Sequence, residues 1–235
     1  MSTTMYKQTL ILLFFLSCFT VSNFAIKNVL ILGDSHFVGH FGEYVHKNLH
    51  ETNKYDVLSV AISGAGSKHF TLTLKNFCCG YKIRCSCAGK AEEPDKKSEI
   101  IILEKASLGT NSIIGKKWKG KLPELISYWM PDLVVLSLGS NNVNSHQSLI
   151  NIVRTYYETM PIVWIGPFKR KGNADRYKLI EKTIKENENI HLVRSDDILG
   201  HDTITMAHYY GKTAQKWANK VTDRMKPILS EIFAE

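Results

Sequence analysis

Four residues, spread from one end of the chain to the other, have the types and settings that acyl transfer needs. Ser35 stands in "GDSH", directly after an apolar run that closes in glycine. At a strand-to-helix turn of this kind the hydroxyl can face the open end of a sheet while the residue's own N–H points into the same pocket. Gly64, in "AISGAGS", has no side chain to keep a ligand away from the backbone N–H. Asn141, in "LGSNN", offers a side-chain amide donor. A nucleophile and three donors for a tetrahedral oxyanion still need a base. Of His201 and His208, the second is better placed, immediately ahead of a run of helix formers. Each residue also has a plainer reading: Ser35 as a helix cap, Gly64 as a turn residue, Asn141 as a brace for its own loop, His208 as a surface histidine.

The elements that must carry these residues are legible as five apolar runs. "NVLILGDSH", "YDVLSVAISGAGS", "PDLVVLSLGSNN", "PIVWIGPFKR" and "NIHLVRSDD" each read as a buried strand ending in small or polar residues. Helical spacing lies between them in "GHFGEYVHKNLHET", around Ser145–Glu158 and Ala174–Glu186, and finally over about Gly211–Phe233. Alternating strands and helices imply an α/β domain, a parallel sheet covered on both faces with its site at the strand C-termini. Residues 71–120 break the rhythm with a cysteine cluster, the charged "AEEPDKKSE" and an isolated strand candidate, "IIILE". They read as an insertion near the substrate side of one domain spanning 26–235, not as a second domain.

Ser35, Gly64, Asn141 and His208 match, in order, the four signature residues of the SGNH/GDSL hydrolases, and the chain resembles that family over nearly all of its length beyond the leader. The resemblance implies a flavodoxin-like three-layer α/β/α sandwich with a five-stranded parallel sheet. It also implies hydrolysis of carboxylic esters through an acyl-enzyme, with Ser35, Gly64 and Asn141 as the oxyanion hole and with no metal or cofactor. "GDSHFVGHFGE", "CGY", "PDLVVLSLGSNNVN", "VWIGPFKRK" and the histidine followed by "WANKV" resemble a branch of exported bacterial proteins, some relatives of which act on acetylated polysaccharides. One departure stands out. The family usually carries D-x-x-H, but here the four residues are Thr205, Met206, Ala207 and His208. Asp202 lies six residues before the histidine, and Asp196 and Asp197 follow the fifth strand. Either the loop folds back to bring Asp202 to His208 as a displaced acid, or Thr205 or a backbone carbonyl orients the ring in a Ser–His dyad. Loss of a triad acid costs about 10⁴ in turnover while leaving measurable catalysis, so the departure predicts a slow or rearranged enzyme. Two other functions fit the same residues: an SGNH-fold carbohydrate-binding protein that has lost turnover, and a lipid acyl esterase.

The rest of the sequence bears on where the protein works. Residues 1–25 place one early cation, Lys7, before the apolar run Leu10–Leu16 and a small or polar stretch up to Ala25. That is the layout of a secretory signal peptide, with an uncleaved anchor or a lipid-modified Cys18 as alternatives. Cys78, Cys79, Cys85 and Cys87 remain in the exported chain and read as two disulfides closing a small loop; a four-thiolate zinc site is the rival reading. The net charge of +8 is spread over several segments without an aromatic-interleaved stripe. It points to anionic cell-wall polymers or membrane surfaces, not nucleic acid, as the partner of an exported protein, beside the plainer reading of a solvated surface. His36/His40 and His46/His50 have a helical four-residue spacing, but no H-E-x-x-H glutamate accompanies either pair. His36, next to Ser35, is expected to line the substrate pocket, and Trp164 and Phe168 to pack in the core and at the rim.

Overall fold

Val29, Leu30, Ile31 and Leu32 are all fully buried, and because successive strand residues point to opposite faces this one run feeds two apolar layers. In the computed structural model, which describes residues 26–73, 80–86, 101–104, 112–113, 116–117, 120–141, 145–168, 173–199 and 208–234, Leu30 and Leu32 enter one core and Val29 and Ile31 the other. The strand is β1 (Lys27–Gly33). It is flanked by β2 (Tyr55–Ile62) and β7 (Leu133–Ser137), and the sheet continues through β8 (Ile162–Ile165) to β9 (Ile190–Val193), all parallel. These are the five runs expected from the sequence, in the spatial order β2-β1-β7-β8-β9.

The sheet is nonetheless larger than five strands and not wholly parallel. β3 (Tyr81–Ser86) pairs antiparallel with β2, and β4 (Ile101–Glu104), the expected "IIILE" strand, pairs antiparallel with β3. The insertion thus supplies two strands that extend the sheet to seven. A small ribbon of β5 (Ser112–Ile113) and β6 (Lys116–Lys117) stands apart from it.

Helices cover both faces. On one side α1 (Ser35–Val38), α2 (His40–His50) and α7 (Gly211–Phe233) bury Phe37, Phe41, Val45, Leu49, Trp217 and Val221 against the sheet. On the other, α3 (Ser67–Phe70), α4 (Leu122–Trp129), α5 (His146–Val153) and α6 (Asn173–Lys185) bury Phe70, Ile126, Trp129, Leu149, Val153 and Ile180. The three-layer α/β/α arrangement is therefore as expected. The helix expected over Ser145–Glu158 is shorter: α5 closes at Val153, and the chain turns through Arg154 and Thr155 before Pro161, which biases the residue ahead of it towards extended backbone. Among the described residues no helix is long and apolar enough to cross a membrane; residues 1–25 lie outside them.

Candidate active site

In a doubly wound sheet, ligands bind where the strand order reverses, outside the C-terminal ends of the strands. Here the chain moves outward from β1 to β2 on one side and returns to β7 on the other, so the crevice lies beyond β1 and β7. Ser35 follows β1 and Asn141 follows β7. The ladder runs on past the strands, with Asp34 N–H donating to the Ser137 carbonyl at 3.2 Å.

Ser35 is the first residue of α1, and its helix is capped by its neighbour: the Asp34 carboxylate accepts from His36 N–H at 2.9 Å. The Ser35 hydroxyl is thus not the cap. It meets His208 instead, Oγ to Nε2, at 2.8 Å across 173 residues of sequence. His208 reaches this position because the start of α7 is held from two directions. Gly211 N–H donates to His40 Nδ1 at 2.8 Å, and Tyr209 is buried against Phe168 and Trp217, with ring centroids 5.0 and 5.9 Å away.

His36 lies beside His208, ring centroids 4.9 Å apart, and packs edge-on to Phe168 at 4.7 Å. It is buried, at 6 % exposure, and helps line a small cavity beside the Ser35 turn together with Asp34, Ser137, Ser140 and Trp217. Phe168, expected at the rim, is fully buried there, and Trp164 lies in the opposite core, donating from its indole to the Leu138 carbonyl at 3.0 Å.

The two remaining donor segments adjoin one another. Gly64 sits in the turn after β2 with φ +76°, and a Cβ placed there would meet nothing within 4 Å. Its conformation favours glycine. Asn141 Nδ2 donates to the Ala65 carbonyl at 2.9 Å, which ties the loop after β7 to the Gly64 turn. A second link lies one layer deeper, where Ser67 Oγ and His146 Nδ1 are 2.6 Å apart and both residues are buried. Burial pushes the His146 imidazole down to about 4, so it is neutral near pH 7.

Asp34 is the unusual carboxylate of the region. Burial pushes its acid up to about 7, against the opposing hydrogen bonds from His36 N–H and from the Ser140 hydroxyl and N–H. The two acids after β9 face elsewhere. Asp196 pairs with Arg194 at 2.8 Å and Asp197 with Arg224 at 2.6 Å. Asp202, Thr205 and Asn142 lie outside the described residues, as do Cys78, Cys79 and Cys87; Cys85 is on β3 opposite Leu58.

Three features of the site were not singled out in the sequence: Asp34 as cap and buried acid, the Ser67–His146 link, and Arg84 from β3. Asp34 alone carried a readable signal, an N-cap residue type directly before the helix. Among the described residues no group of histidines, cysteines and carboxylates is arranged to hold a metal. His46 of the spaced pair is buried between Ser59 Oγ at 2.6 Å and Ser86 Oγ at 3.1 Å, and burial, followed by the nearby Arg84 and His50 charges, pushes it down to about 3.

With the geometry in hand, known structures give a consistent comparison. A serine-to-alanine mutant of an acetyl esterase, solved with an acetate ion, superposes with a TM-score of 0.50 at 10 % identity, over 89 % of this chain and 99 % of that one. A Bacteroides ovatus chain described as a GDSL-like lipase superposes with a TM-score of 0.54 at 12 % identity, over 88 % of this chain. The chain has the SGNH/GDSL hydrolase fold. It spans only 54 % of the Bacteroides ovatus chain's length. A carbohydrate esterase family 3 protein from Talaromyces cellulolyticus gives a TM-score of 0.50 at 11 % identity, over 89 % of this chain and 99 % of that one. No family model matches the sequence, and no curated protein does.

Proposed function

We propose that the protein is an exported serine esterase of the SGNH type that removes O-acetyl groups from cell-wall or polysaccharide sugars. The observation that carries this reading is the 2.8 Å contact between Ser35 Oγ and His208 Nε2 at the crevice of the sheet, a separation at which a base can take the hydroxyl proton. Ser35 attacks the ester carbonyl and His208 accepts its proton, then returns it to the departing sugar alcohol. The N–H groups of Ser35 and Gly64 and the Asn141 amide stabilise the oxyanion. One hydrogen of that amide is engaged by the Ala65 carbonyl, which aims the planar group and leaves its second hydrogen for the oxyanion. Water, activated by His208, then releases acetate and restores Ser35. Asp202 is our assignment for the acid that orients His208, displaced from the family's usual position. His36 contributes to the wall of the site beside His208.

The acetyl preference draws on the two fold neighbours named as an acetyl esterase and a carbohydrate esterase. Export draws on the N-terminal pattern, and the net charge of +8 suits association with an anionic wall or membrane surface. The test is acetate release from O-acetylated polysaccharide, compared with hydrolysis of p-nitrophenyl esters of increasing chain length. Acetate release with acetyl favoured over longer chains supports the reading; a preference for long acyl chains makes the protein a lipid esterase instead.

A further inference from the structure

The segment that presents Ser35 is short, and something must hold its far end. α1 has only four residues, Ser35–Val38, and its final carbonyls have no partner within so short a helix. Those of Phe37 and Val38 are met by Arg84, whose guanidinium donates from Nη1 to the Phe37 carbonyl at 2.9 Å and from Nη2 to the Val38 carbonyl at 3.0 Å; Nη2 also donates, at 3.3 Å, to the carbonyl of Gly39 just beyond the helix, which accepts from Glu43 N–H as well. Arg84 is 1 % exposed. A cation buried this deeply carries a desolvation cost that only good hydrogen bonds offset, and a planar fork can span successive carbonyls where an ammonium cannot. Arg84 comes from β3, the antiparallel strand of the insertion, and lies opposite Ser59 of β2. Two residues on, Ser86 engages His46 of α2 at 3.1 Å. The polar face of β3 therefore grips both helices that follow β1.

We propose that Arg84 is a positioning residue for the nucleophile. By fixing the carbonyls of residues 37–39 it sets the turn that holds Ser35 Oγ within reach of His208 Nε2, which gives the insertion a part in the active site without contact with substrate. The activity readouts rest on the esterase reading; the mechanical link does not.

The experiment compares wild type with Arg84→Gln and Arg84→Lys, each confirmed folded by circular dichroism. It follows the rate of Ser35 labelling by a fluorophosphonate, kcat and KM for p-nitrophenyl acetate, and hydrogen exchange of the amides of residues 35–42. A displacement on the order of 1 Å at a reacting group costs about 10²-fold. Arg84→Gln is therefore expected to lose about that factor in kcat and in labelling rate while KM changes little, with faster exchange over 35–42. Arg84→Lys, which keeps one donor towards the carbonyls, is expected to fall between the two and serves alone if the glutamine variant does not fold. Folded variants that melt earlier but keep wild-type kcat, labelling and exchange over 35–42 overturn the proposal. If wild type itself neither labels nor turns over, the esterase reading fails, and the exchange comparison still decides whether Arg84 holds the turn.

Discussion

Ser35 and His208 are brought together by three local decisions: Asp34 takes over the capping of α1, His40 holds the backbone at the start of α7, and Tyr209 anchors beneath it. Because capping is done by Asp34, the Ser35 hydroxyl is left for His208. On the proposed role of Asn141 as an oxyanion donor, Asn141→Ala is expected to lower kcat by about 10²–10³-fold, the usual cost of losing one such donor, measured with p-nitrophenyl acetate under saturating substrate. Asp34 leads to a second expectation. Its folded-state acid is raised to about 7 from 3.8, so the folded protein holds a proton there that the unfolded chain releases. The stability this contributes is complete below pH 3.8 and is lost as pH rises to about 7. Asp34→Asn, which stays neutral, removes that dependence, and urea melts of the two proteins across this interval check it.

At the scale of elements, the turn that carries Ser35 is packed with no slack. A Cβ on Gly42 of α2 would lie 2.0 Å from the Phe37 carbonyl oxygen, an atom that Arg84 also holds. Gly42→Ala is therefore expected to destabilise the protein by about 1–3 kcal/mol, as overpacking does, and to slow Ser35 labelling, since relief requires α1 and α2 to part; a denaturant melt with a labelling assay measures both. Much of this architecture could be read in advance. The five parallel strands announced themselves as apolar runs closing in small residues, and α7 spans the expected Gly211–Phe233 because its amphipathic period is long and uninterrupted up to Pro227. β3 escaped notice because its alternation is disguised. Tyr81 and Ile83 face one core, while Arg84 and Ser86 on the other face are buried polar residues satisfied by α1 and α2. Sequence period treats such positions as solvent-facing. The Ser67–His146 link was equally hidden, since only the fold brings residues 79 apart into contact.

For the molecule as a whole, burying polar groups on both sheet faces has a consequence in acid. His46 is pushed down to about 3 and His146 to about 4 from 6.5, so each stays neutral in the folded state while the unfolded chain takes up protons. The stability they contribute is present above pH 6.5 and is lost as pH falls through about 4 for His146 and about 3 for His46. Asp34 opposes them over nearly the same interval, since folding retains its proton. Two histidines against one carboxyl leave a net loss of stability in acid from these three groups. Asp34→Asn is expected to steepen the loss and His146→Gln to lessen it, by equilibrium unfolding at a series of pH values. Catalysis by Ser35 and His208 is tested by fluorophosphonate labelling of wild type, Ser35→Ala and His208→Ala, each shown to be folded, with p-nitrophenyl acetate turnover followed in parallel. Labelling and turnover are expected in wild type alone, with the modification mapped to Ser35. A folded wild type that neither labels nor hydrolyses the ester faster than Ser35→Ala would contradict it and make the Ser35–His208 crevice a binding pocket rather than a catalytic one.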